Sequence, residues 1–143
     1  MVKPRSNVEF NADFPDDTVY GEDGEDGDEL QFAGQNVAEA IAGMLVRSGY
    51  EVSTPENCYE LGWEFDAIRR KSRFWVRLTK IHEFVLVSQD MTFRLWPDRR
   101  PYAEFLRSLH SALTSDPRFG RVRWFKGDLP SDGGAWSAEP VDA

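Results

Sequence analysis

Glu64 and Asp66 lie two residues apart in Gly62-Trp63-Glu64-Phe65-Asp66-Ala67. Glycoside hydrolysis needs only two carboxylates, set at a fixed separation. On an extended strand, side chains two apart share a face about 6–7 Å from one another. That spacing could serve acid–base work, but such pairs are common on solvated strands, and scattered aromatics are all that accompanies this one. Beside plain solvated surface, an exposed acidic pair that meets a basic protein is a better reading than catalysis, with Arg77 and two tryptophans, Trp63 and Trp75, close by in sequence.

Other chemistries find less support. Cys58 is the one cysteine, in Glu56-Asn57-Cys58-Tyr59-Glu60, so no internal disulfide and no cysteine-based zinc site can form. The carboxylates beside it disfavour the thiolate a nucleophile needs. The two histidines, His82 and His110, have none of the spacings of a metal centre. The sequence has no nucleophile elbow, phosphate-binding loop or dinucleotide fingerprint. Calcium is the sharper possibility for Asp23 to Glu29, yet an EF-hand register started at Asp23 puts Gly27 fifth and Asp28 sixth, and one started at Asp26 puts Leu30 fifth. We therefore expect no catalytic residue, no metal and no cofactor.

The elements that would position these residues are legible from periodicity. Asn36 followed by Glu39 has the spacing of a capping box. Val37, Ile41, Met44 and Leu45 then mark one helical face, and Gly49 stands where a helix stops, which predicts a helix over Val37–Ser48. Tyr50–Ser53, Gly62–Arg69, Arg73–Lys80 and Glu83–Ser88 read as strands, with Met91–Leu95 as a further one. Their short polar links make an antiparallel meander. Trp63, Phe65 and Ala67 alternate with Glu64, Asp66 and Ile68; Phe74, Val76 and Leu78 alternate with Trp75, Arg77 and Thr79. Asp98 and Pro101 open a second helix whose stripe is Tyr102, Phe105, Leu106, Leu109 and Leu113. Val122–Phe125 closes the series. The expected fold is α+β: an antiparallel meander of four to five strands with two helices packed on one face. The opposite face carries Trp75 and Arg77, either open as a binding surface or with Trp75 covered by the N-terminal segment or a loop.

Composition sets the partners. The chain has 143 residues with 17 Lys and Arg against 25 Asp and Glu, for a net charge of −8. Nine of the acids fall between Asp13 and Glu29, a stretch without Lys or Arg, and the remainder carries 17 basic and 16 acidic side chains. Residues 1–31 read as an acidic, disordered arm, 32–126 as the single domain, and 127–143 as a flexible tail. Asp16, Asp17, Glu22, Asp23, Glu25, Asp26, Asp28 and Glu29 are the arm's candidate partner contacts. An acidic chain is a poor ligand for nucleic acid. The basic clusters Arg69–Arg73, Arg99–Arg100 and Arg118–Lys126 read as solvated turns, as a stacking patch with Trp75 and Trp124, or as a resting place for the arm. No apolar run reaches membrane-spanning length, and no leader is evident at the start. A cytoplasmic protein, monomeric or weakly dimeric, is expected.

Val37-Ala38-Glu39-Ala40-Ile41 through Ser48-Gly49-Tyr50-Glu51-Val52, then Gly62-Trp63-Glu64-Phe65, Phe74-Trp75-Val76 and Pro117-Arg118-Phe119-Gly120-Arg121-Val122-Arg123-Trp124-Phe125, resemble in layout the small bacterial immunity proteins of polymorphic toxin systems. The resemblance spans residues 34 to 125. It implies a non-enzymatic inhibitor that binds a cognate toxin tightly and blocks its active site. An acidic mimic of nucleic acid is the alternative, although nine acids over 17 extended residues give one charge per about 6 Å against about 1.7 Å along duplex DNA. An accessory or adaptor subunit is a further class.

Overall fold

The computed structural model describes residues 3–20, 29–31, 33–58 and 61–142. The main sheet has seven strands: β1 (Asn7–Ala12), β4 (Glu51–Val52), β5 (Glu56–Asn57), β6 (Trp63–Arg69), β7 (Ser72–Lys80), β8 (Phe84–Asp90) and β9 (Phe119–Phe125). Its order is β4-β6-β7-β8-β1-β9, with β5 also on β6. A separate pair joins β2 (Val19–Tyr20) to β3 (Glu29–Gln31). Helices α1 (Gln35–Arg47) and α2 (Arg100–Ser115) pack against each other and share one core with the inner sheet face. This is the expected α+β fold, and β6-β7-β8 is the expected meander.

Both helices bury the stripes that the sequence marks. Val37, Ile41 and Leu45 are fully buried on α1, as are Phe105, Leu106, Leu109 and Leu113 on α2. Phe74 lies between Phe105, at 4.5 Å between ring centres, and Tyr102, at 5.8 Å. Such stacked aromatics add about 0.5–1.5 kcal/mol per pair beyond their area burial. α1 ends as expected: Gly49 takes φ 99°, so that its own N–H reaches Val46 O and the Tyr50 N–H reaches Leu45 O. Its start differs. The helix begins at Gln35, and the cap comes from far upstream: Asp17 accepts from the Gly34 and Asn36 N–H groups, both at 2.8 Å. Asn36 uses its amide to bond Pro15 O instead.

The N-terminal boundary moves. Residues 7–12, assigned by sequence to the arm, form a strand inside the sheet, hydrogen-bonded to β8 on one side and β9 on the other. Asn-Val-Glu-Phe-Asn-Ala alternates, and Val8 and Phe10 are fully buried. The acids that follow hide this short pattern when the segment is averaged as one. β1 is antiparallel to both neighbours, so β8 and β9 run parallel and α2 carries the chain over β1 between them. β1 therefore fills a slot that the expected meander leaves out.

The C-terminal boundary moves too. Residues 127–142 are packed rather than loose. Ser137 exchanges two 2.8 Å backbone hydrogen bonds with Trp124 on β9, and Arg5 N–H donates to Pro140 O at 2.8 Å. Val141 is buried and pairs with Pro4. A few anchors hold the segment, the Ser137–Trp124 and Val141–Pro4 bridges with Pro130, Pro140 and Val141 buried, while Trp136 stays exposed. Met91–Leu95 is not a strand either. Met91 N–H still reaches Arg73 O, but β7 begins at Ser72, so a longer β8 would have no partner to pair with.

Candidate functional site: the outer face of the sheet

With the helices on one face, alternation sends every second side chain to the other. Cross-strand register then fixes the neighbours. Glu64 faces Arg77, which faces Val87, then Asn7, then Phe125; Asp66 faces Trp75, then Gln89; Val85 faces Glu9, which faces Arg123. The C-terminal segment closes one half of this face. Ser131 donates its N–H and hydroxyl to Glu9, and Arg123 adds a guanidinium N–H, so a nearly inaccessible carboxylate is held by three donors. Among the described residues no element crosses the half formed by β6 and β7, where Glu64, Asp66, Trp75 and Arg77 are each partly exposed.

On that open half Glu64 is the hub. The Trp75 indole N–H donates to Glu64 Oε1 at 2.8 Å, and Arg77 Nε donates to Oε2 at 3.2 Å. The Arg77 guanidinium lies 4.9 Å from the centre of the Trp75 ring, so acid, base and aromatic support one another. Burial pushes the Glu64 carboxyl up, but the hydrogen bonds from Trp75, Cys58 and Arg77 together outweigh it and hold the group below the usual carboxylate range. Asp66 pairs with Arg73 at 2.9 Å. A carboxylate held ionised is a poor general acid, and each member of the acidic pair already has its own cation. The arrangement is suited to recognition: a half-buried Trp held in one rotamer, flanked by fixed charges of both signs.

The remaining candidates fall in different places. Trp63 belongs to the inner face with Phe65 and Ala67, is 3% exposed, and cannot meet a partner; its place in the alternation opposite Glu64 dictates this. Asp17 is engaged in capping α1 and Asp16 accepts from the Thr18 hydroxyl at 2.6 Å, so both are part of the fold's own hydrogen bonding. Glu29 opens β3. Glu22, Asp23, Glu25, Asp26 and Asp28 lie outside the described residues.

Among the basic residues, Arg69 pairs with Glu104 and covers the Tyr50 ring, and Arg118 chelates Asp116 and covers Phe14. These contacts tie Arg69 and Arg118 into the fold, while Arg70, Lys71, Arg99 and Lys126 are exposed. Trp124 is fully buried and donates to His110 Nδ1 at 3.0 Å, so it offers no stacking surface. Burial, with a hydrogen bond to Glu64 behind it, pushes the Cys58 thiol up, as its acidic neighbours suggest. Among the described residues no group of three or more His, Cys, Asp or Glu side chains is placed to hold a metal ion.

Two features escape the sequence reading. Arg73 joins the outer face through Asp66, which only the β6–β7 register reveals. The loop after β8 exposes Met91, Phe93, Leu95 and Trp96, the last three at 80–89%. The run alternates like a strand, and only the absence of a pairing partner tells the two apart. Comparison with protein-family profiles, with curated proteins and with solved structures finds no match.

Proposed function

We propose that this protein is a binding inhibitor that neutralises a cognate, basic bacterial toxin by covering its active site, with the open β6–β7 face as its recognition surface. The observation that carries the reading is the Glu64–Trp75–Arg77 cluster. A tryptophan fixed by its own N–H and stacked under a guanidinium has lost its rotamer freedom before any partner arrives, which lowers the entropic cost of binding. Trp and Arg are the residue types that dominate interface energetics. A net charge of −8 supplies the long-range field that speeds capture of a basic protein. The resemblance of residues 34 to 125 to immunity proteins of toxin systems points the same way. Among the described residues no helix is long and apolar enough to cross a membrane.

The test is affinity capture from the native host with the full chain, washed at low and high salt, beside a Glu64→Gln/Trp75→Ala double variant. One stoichiometric basic toxin domain, kept by the wild type and lost by the variant, is the expected result. A nucleic-acid-binding complex held only at low salt would replace this reading with nucleic-acid mimicry. Equal retention of the toxin domain by both proteins would remove the outer face from it.

A further inference from the structure

The loop between β8 and α2 displays Phe93 at 89%, Trp96 at 82%, Leu95 at 80% and Met91 at 52% exposure. Isolated exposed apolar residues are ordinary, but four large ones within six positions are not. The base of the loop is held. Met91 N–H bonds Arg73 O at 2.8 Å, Thr92 Oγ1 accepts from Arg73 N–H at 2.9 Å, and Thr92 N–H bonds Asp90 at 3.1 Å. The apolar tip is therefore presented from a fixed base.

Charge indicates what covers it. Arg94 pairs with Asp90 at 3.3 Å and Arg100 with Asp98 at 3.0 Å, leaving Arg99 to give Asp90–Arg100 a formal charge of +1 in a chain of −8. Here two copies of an acidic chain can meet without strong repulsion. A basic toxin finds no electrostatic attraction at this patch, and an anionic bilayer would face the net charge of the chain. We propose that the loop is the contact of a two-fold homodimer, the Phe93–Leu95–Trp96 tip of one copy packing on the same tip of a second. A two-fold contact brings one surface onto itself, which suits a patch whose flanking charges are already cancelled. Three large side chains cover about 500 Å² per copy, or about 1,000 Å² in the pair, near the lower end of specific interfaces. The dimer is accordingly reversible.

Sedimentation equilibrium of the full chain tests this against Phe93→Ser/Leu95→Ser/Trp96→Ser. The wild-type mass is expected to rise from 16.4 kDa toward twice that value with concentration, between about 10 μM and about 1 mM. The triple variant stays monomeric with an unchanged melting temperature, because the altered side chains touch no core. A wild type that remains monomeric throughout, a variant that associates equally, or a monomer that instead floats with phosphatidylcholine vesicles through this loop would each overturn the dimer.

Discussion

Glu64 illustrates how much one side chain sets. Its carboxylate orients the Trp75 indole, neutralises Arg77 and adds to the burial that pushes the Cys58 thiol up. Replacing it with Gln leaves a hydrogen-bonding group but no charge, so Arg77 loses its partner. We expect a stability loss of about 1 kcal/mol, modest because the pair is partly solvated, and a larger loss in partner affinity. Urea titration beside a binding titration separates the two.

Asp17 gives the opposite balance. It caps α1 from outside the helix, so Asp17→Ala should cost about 1–2 kcal/mol in urea unfolding and leave partner affinity unchanged. The two acids look alike in sequence. The position of Glu64 in an alternating strand makes its exposure legible. The role of Asp17 depends on a 17-residue excursion that no local pattern encodes.

At the scale of elements, β1 decides whether the sheet exists. Among the described residues it is the one strand that joins β8 to β9 in the sheet, and the Phe10 ring packs against both Phe84 and Phe119. Phe10→Ala should destabilise by about 3–5 kcal/mol, and deletion of residues 1–12 should abolish cooperative unfolding, checked by thermal melts followed by circular dichroism. Both helices and the β6-β7-β8 meander are legible in sequence because each is long, strictly periodic and adjacent to its partner. β1 is not, since its partners lie far downstream, 78 and 116 residues away for Val8 with Leu86 and Trp124. The C-terminal segment is obscure for a related reason. Ser131, which closes over the buried Glu9, sits in a Gly, Ser and Pro context that reads as a loop until the sheet beneath it is known.

At the scale of the whole molecule, charge governs both stability and encounter. Hydrogen bonds from Thr18 hold Asp16 low and those from Arg100 hold Asp98 low, while Glu64 is low for the reasons given above. Hydrogen bonds from the Arg118 side chain and N–H bring Asp116 down to about 2. In each case the folded chain holds its proton less tightly than the unfolded one. Their stabilisation is complete above the ordinary carboxylate range and is lost as pH falls through the folded values. Acid unfolding should therefore steepen below about pH 4. Asp116→Asn should flatten that limb between about pH 4 and 2, measured by urea midpoints across the range. Encounter with a basic partner should slow as salt rises, since the field behind it is screened beyond about 8 Å at physiological ionic strength.

The most direct measurement of whether the β6–β7 face carries recognition is calorimetric titration of the captured partner into wild-type protein and into Trp75→Ala, both shown to be folded. A recognition surface centred on Trp75 predicts an affinity at least about 30-fold weaker for the variant. Affinities within about twofold of one another, a difference below 0.5 kcal/mol, would contradict it.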